Sequence, residues 1–184
     1  MKVSQEMYDR FKAMVENMPD SVDPQRSVVE VRIFGENMKL TPSLKNLTHI
    51  GRLLTQRQIK IHKEIGETFR GKVTYNDLLQ EALHNNFMLE AEDLAVVLFC
   101  CLNFSNGKVN NTYGKLDHVE REIEEAYEKA KLSDGEDPSF GGLITAAAYL
   151  LALTSPILRK GIISYQDGTL EIEEPEEVED NPLV

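Results

Sequence analysis

Glu81-Ala82-Leu83-His84 sets a carboxylate and an imidazole three residues apart. On a helix that step places both on one face, where they could share a metal ion. Di-iron bundles use the step twice and add a glutamate from each of two further helices. Here it occurs once, because His49, His62 and His118 follow Asn46, Ile59 and Lys115 at the same spacing. No two histidines stand four apart, as a helical zinc site requires. The pair therefore reads as a surface histidine beside a solvated glutamate. Cys100 and Cys101 are adjacent, which excludes a disulfide framework. They sit in the apolar run around Leu94–Leu102, and a nucleophilic thiol needs an electropositive, partly exposed setting. They read as small core residues. The chain has neither the Walker spacing nor GxGxxG, and Gly141-Gly142 reads as room for close helix packing. Glu120, Glu122, Glu124 and Glu125 are interleaved with Arg121 and Lys129, the pattern of a salt-bridged solvated helix face with Arg121–Glu125 and Glu125–Lys129 pairs. The sequence thus offers no catalytic residue, no metal ligand set and no cofactor.

Charge carries more information. The 184 residues hold 20 Lys and Arg against 31 Asp and Glu, a formal −11. A protein that coats nucleic acid by bulk electrostatics needs the opposite sign. The charge is also segregated. Residues 39–72 hold Lys39, Lys45, Arg52, Arg57, Lys60, Lys63, Arg70 and Lys72 against Glu64 and Glu67, a net +6. Residues 161–184 hold Asp167, Glu171, Glu173, Glu174, Glu176, Glu177, Glu179 and Asp180 with no basic residue, a net −8. The two segments could be solvated surface, could screen each other, or could each meet a partner of opposite charge.

The elements that hold these charges follow from periodicity. Ser4 caps a helix over 5–18 with Met7, Phe11, Met14 and Met18 on one face. Residues 27–34 alternate as a strand with Val29, Val31 and Ile33 on one side, and Gly35-Glu36-Asn37 turns it into Met38-Lys39-Leu40. Thr41-Pro42 opens a helical stretch with Leu44, Leu47, Ile50, Leu54, Ile61, Ile65 and Phe69, with a possible break near Thr55 and an end at Gly71. Thr74 caps a helix to about His84. Residues 91–104 form an apolar core helix, 116–132 a charged one, and 141–154 a small-residue helix stopped by Pro156. At the end, 162–165 and 169–173 alternate around Asp167-Gly168, which predicts a second hairpin. The expected fold is α+β, predominantly helical, with five to six helices packed on a small antiparallel sheet built from an N-terminal and a C-terminal hairpin. Residues 1–173 would form a single globular domain and 174–184 an acidic flexible tail. The start of the chain lacks the apolar stretch of a signal peptide. The longest apolar runs fall short of the about 20 residues of a membrane span. The expected location is therefore cytoplasmic, with no membrane partner.

Two resemblances bear on function. Leu54-Thr55-Gln56-Arg57-Gln58-Ile59 followed by Val73-Thr74-Tyr75-Asn76-Asp77-Leu78 resembles the opening of winged-helix DNA-binding domains, whose next helix should present basic and polar residues to the major groove. Here that helix begins Glu90-Ala91-Glu92-Asp93, which puts three carboxylates where phosphates would lie. Over residues 28–156 the order of elements is a strand, a Leu-rich helix, the helix Glu92 to Leu102, a Glu-rich helix after Leu116 and a small-residue helix. That order resembles bacteriophage tail assembly chaperones. The likeness implies a non-enzymatic protein that keeps an aggregation-prone tail component soluble.

The sequence points to a non-enzymatic protein-interaction module: an adaptor, assembly chaperone or inhibitor. Its acidic residues Glu171, Glu173, Glu174, Glu176, Glu177, Glu179 and Asp180 would meet a protein partner with a basic surface, and the Met7/Phe11/Met14/Met18 face would supply apolar contact. The alternative is a nucleic-acid-binding regulator using Lys45, Arg52, Arg57, Lys60 and Lys63, with the acidic tail as an internal competitor. Deleting 174–184 separates the two. Partner binding should weaken, and lose sensitivity to raising salt from about 50 to about 300 mM. Nucleic-acid binding in a gel shift should instead strengthen.

Overall fold

A helix with no charged residue has no face to offer water, and residues 139–154 are such a stretch. In the computed structural model, which describes residues 1–85, 89–103, 115–134 and 136–173, that helix lies at the centre. The elements run β1 (Lys2–Val3), α1 (Gln5–Glu16), β2 (Val22–Asp23), β3 (Val28–Ile33), β4 (Glu36–Leu40), α2 (Leu44–Glu64), α3 (Tyr75–His84), α4 (Ala91–Asn103), α5 (Leu116–Leu132), α6 (Ser139–Thr154), α7 (Pro156–Gln166) and β5 (Glu171–Ile172). The fold is predominantly helical α+β. Among the described residues it has seven helices, an antiparallel sheet in the order β2-β3-β4 and a separate parallel pair, β1-β5.

The N-terminal hairpin forms as its alternation predicts. Val29, Val31 and Ile33 of β3 and Met38 and Leu40 of β4 are buried, and β3 lies along α6. Glu30 and Arg32 face outward, with Lys39 of β4 pairing Glu30 at 2.6 Å. The turn is one step earlier than Gly35-Glu36-Asn37. Ile33 already pairs with Glu36, leaving Phe34-Gly35 as a two-residue loop with φ of +54° and +75°. Two left-handed central residues make a type I′ turn, whose twist matches that of the strands. The Phe34 N–H is held by Glu122 Oε1 at 2.9 Å.

The predicted C-terminal hairpin does not form. Residues 162–165 lie inside α7, and β5 pairs in parallel with β1 (Lys2 with Glu171, Val3 with Ile172) rather than joining the other sheet. Ile162 and Leu158 also fit a four-residue step, and both are buried. Gly168, at φ +67°, is a helix stop instead of a hairpin turn. Its N–H bonds Tyr165 O and the next N–H bonds Ser164 O, the Schellman pattern. Both motifs want glycine in the left-handed region, so Asp-Gly alone does not separate them. Pro156 ends α6 and also opens α7 as its first residue, with Ser155 as N-cap. The two helices bend through 103° there.

The Leu-rich stretch is one unbroken helix through Thr55 and ends at Glu64, short of Phe69. Gly66 at φ +79° closes it with a second Schellman pattern, Glu67 N–H to His62 O and Gly66 N–H to Lys63 O. Thr55 Oγ1 accepts the N–H of Val73 at 3.0 Å, tying down the returning chain. Thr74 caps α3 as expected, and the structure adds a capping box with Asp77. No single helix among the described residues is long and apolar enough to cross a membrane.

Close packing uses Gly161 rather than Gly141-Gly142, which are exposed with nothing near a would-be Cβ. A Cβ at Gly161 would overlap the ring of Phe11, which is fully buried where α1 crosses α7. Gly161→Ala should cost about 1–3 kcal/mol through overpacking. A shift in urea midpoint with unchanged slope checks this, and Phe11→Leu in the same chain should recover part of it.

Candidate functional site

Helix α2 carries the basic residues. Ser43 caps it, with its hydroxyl accepting the Asn46 N–H at 3.4 Å. No acidic residue interrupts 44–63. At 100° per residue, Ile50, Leu54, Arg57, Ile61 and Ile65 fall on one stripe, and Lys45, Arg52 and Lys63 on the opposite one. The first stripe starts in the core and runs out of it: Ile50 is 1% exposed, Leu54 5%, Ile61 39% and Ile65 65%. Ile59 is also exposed, and at the same pitch it falls beside Arg52 and Lys63 on the opposite stripe. Lys45, Arg52, Lys60 and Lys63 are all on the surface. The last turn and a half of α2 therefore projects beyond the core as an apolar and basic surface.

Arg57 is the exception among the five basic residues. It turns inward to 25% side-chain exposure. There Nη1 lies 2.6 Å from Asp93 Oδ1, and Nη2 lies 3.3 Å from Glu92 Oε2 and 3.6 Å from Glu90 Oε2. An Arg in this setting is not available to a partner. The three carboxylates sit at the start of α4, where the helix dipole favours them, and the departure noted for the winged-helix pattern finds its purpose here. Arg57, Gln58, Asp77, Glu81, Glu90 and Asp93 line a cavity of about 220 Å³ between α2, α3 and α4, floored by Leu54, Val73 and Leu78. Burial pushes the Asp93 carboxyl up to about 6 against the pull of Arg57, with Glu81, Glu90 and Glu92 adding to the rise. Hydrogen bonds from Thr74 hold Asp77 below its ordinary value. Burial first, then Asp117, Glu124 and Glu92, raises Glu120 on α5.

The expected apolar face of α1 is core instead. Phe11 is fully buried over Gly161, and Met7, Met14 and Met18 are half-buried against the same core. The correction shares its cause with the missing hairpin: a helix at 156–166 stands where the sequence predicts a strand, and it covers α1. Of the acidic residues, Glu171 and Glu173 are exposed, with backbone N–H groups bonded to Met1 O and Val3 O at 2.8 Å. Glu174, Glu176, Glu177, Glu179 and Asp180, and with them the predicted tail, lie outside the described residues.

The remaining motifs fall elsewhere. Glu81 and His84 are exposed on α3. Among the described residues no cluster of three His, Cys, Asp or Glu is arranged to hold a metal ion. Cys100 and Cys101 are buried, and burial pushes both thiols up, Cys101 to about 12. Asn46 Nδ2 donates to Cys101 Sγ at 3.3 Å. Arg121 pairs with Glu125 at 4.0 Å on the outer face of α5. The chain matches no family model, no curated protein and no solved structure.

Removing Arg57 would strand Asp93 beside two other carboxylates. Arg57→Met should destabilise by about 3 kcal/mol at neutral pH. The loss should shrink by pH 5, where Asp93 takes up a proton and no longer needs a counter-charge. Urea unfolding at the two pH values checks both statements.

Proposed function

We propose that the protein is a non-enzymatic interaction module that holds a partner protein through charge complementarity and an apolar helix face. The observation behind this is the stripe of α2 that leaves the core, with Ile61 and Ile65 exposed and the exposed Lys60 on its flank. Exposed isoleucines at helical spacing cost solubility unless something covers them. Lys60 beside them selects an acidic cover. The occupant is an amphipathic segment of another protein, with an apolar face flanked by Asp or Glu, in the manner of helix recognition at an apolar surface. Lys60 would speed and orient docking while the isoleucines supply affinity. An adaptor, an assembly chaperone and an inhibitor all belong to this class. The bacteriophage tail-chaperone likeness belongs to it too.

Fluorescence anisotropy with a labelled acidic amphipathic peptide tests the proposal. Wild type should bind, more weakly as salt rises. Ile61→Asp with Ile65→Asp should lose about tenfold or more in affinity, with circular dichroism unchanged because both residues lie beyond the core. Equal binding by the variant, or none by wild type, overturns the reading. So does a concentration-dependent dimer in sedimentation that the same substitutions abolish, because the face would then be covered by a second copy. Binding of single-stranded DNA that Lys45→Glu, Arg52→Glu and Lys63→Glu abolish, without peptide binding, favours the nucleic-acid alternative along the opposite stripe.

A further inference from the structure

Asp93 is the one Asp, Glu, Lys or Arg among the described residues that is buried. Carboxylates crowd its surroundings. Glu90 and Glu92 flank it at the start of α4 and share its partner Arg57 from α2. Asp77 and Glu81 of α3 line the same cavity, and Glu120 of α5 feels Glu92 and Arg57 from the other side. Negative charge at this junction exceeds what Arg57 neutralises. We propose that the junction of α2, α3 and α4 is a proton-operated clamp that tightens as pH falls below neutral.

The direction follows from which state binds the proton better. In the folded chain Asp93 titrates at about 6, above its ordinary 3.8. The folded state therefore holds this proton more tightly than the unfolded state. Its stabilising contribution is complete below about 3.8 and is lost as pH rises through about 6. Geometry supplies the mechanism. Protonation removes one of the crowded negative charges and the cost of keeping it dry, while the neutral carboxyl still accepts a hydrogen bond from Arg57. Arg57 stays bound to Glu90 and Glu92, so the contact between α2 and α4 persists while its repulsion falls. His49, on the outer side of α2, works in the opposite sense. Burial, Arg52 and Lys45 hold it below 6.5, so acid costs stability there. The clamp is thus read from a comparison in which His49 is common to both proteins.

Thermal unfolding of wild type and Asp93→Asn across pH 5 to 7.5 provides that comparison. The wild-type midpoint, taken relative to the variant, should rise on going to acid by on the order of 5 °C. Carboxyl-carbon NMR of the folded wild type should show Asp93 titrating near 6, well above the exposed Asp residues. Hydrogen exchange, corrected for its intrinsic pH dependence, should slow in the first turns of α3 and α4 at the acid end in wild type alone. A parallel pH dependence in the two proteins, or an Asp93 midpoint in the ordinary carboxylate range, overturns the proposal. Neither Ile61 nor Ile65 takes part, so this outcome is independent of the binding test.

Discussion

The burial of α6 over residues 143–153 is the constraint on which the rest of the structure depends. Nine of its side chains are buried, and none of its residues is charged. Such a helix must be enclosed, and each side of it is closed by a different element: β3 of the sheet, α4, α5 and the helix that follows it after the Ser155-Pro156 corner. Ala146, Ala147 and Ala148 let these neighbours approach closely. The polar groups brought into the enclosure are tied to backbone carbonyls. The Tyr75 hydroxyl donates to Leu151 O and the Tyr149 hydroxyl to Met14 O, each at 2.5 Å. Burial holds both phenols up at about 12, so they stay neutral donors across the physiological range.

Enclosing α6 takes a fixed length of helix, and α2 is longer than that. At 1.5 Å per residue it spans about 32 Å, while the 13 residues of α4, against which it packs, span about 20 Å. The excess is what projects. Arg57 marks the boundary, as the point on the core-facing stripe where apolar contact gives way to the carboxylates at the start of α4. Arg57 therefore does two things: it ends the core on this stripe, and it ties α2 to the start of α4.

Where a residue's burial followed from its own periodicity, the sequence was readable. The strand at Val29, Val31 and Ile33, the Thr74 cap, the apolar α4 and the charged α5 all depend on neighbours within a few positions. The errors came where a local pattern had two physical solutions. Asp167-Gly168 serves a hairpin or a helix end equally well, and Pro156 stops one helix while starting another. With 162–165 taken as strand, the Met7/Phe11/Met14/Met18 face has no cover and reads as a free surface. The site was half legible. The basic residues of α2 and the three carboxylates of α4 were each visible, but their meeting through Arg57 is a contact over 36 residues that spacing does not encode. The exposure of Ile61 and Ile65 was hidden for the same reason, because a stripe does not announce where the layer beneath it stops.

The parallel pairing of β1 with β5 joins residues 2–3 to residues 171–172. Together with α1 seated on α7 through Phe11 and Gly161, it forms a seam between the first and last parts of the described chain. Contacts that close a loop this long are entropically the last to be worth making. Local opening at such a seam would part α1 from α7. Such an opening would uncover Phe11, Leu158 and Ile162 together. The protein's aggregation hazard would then lie in a partly opened native state.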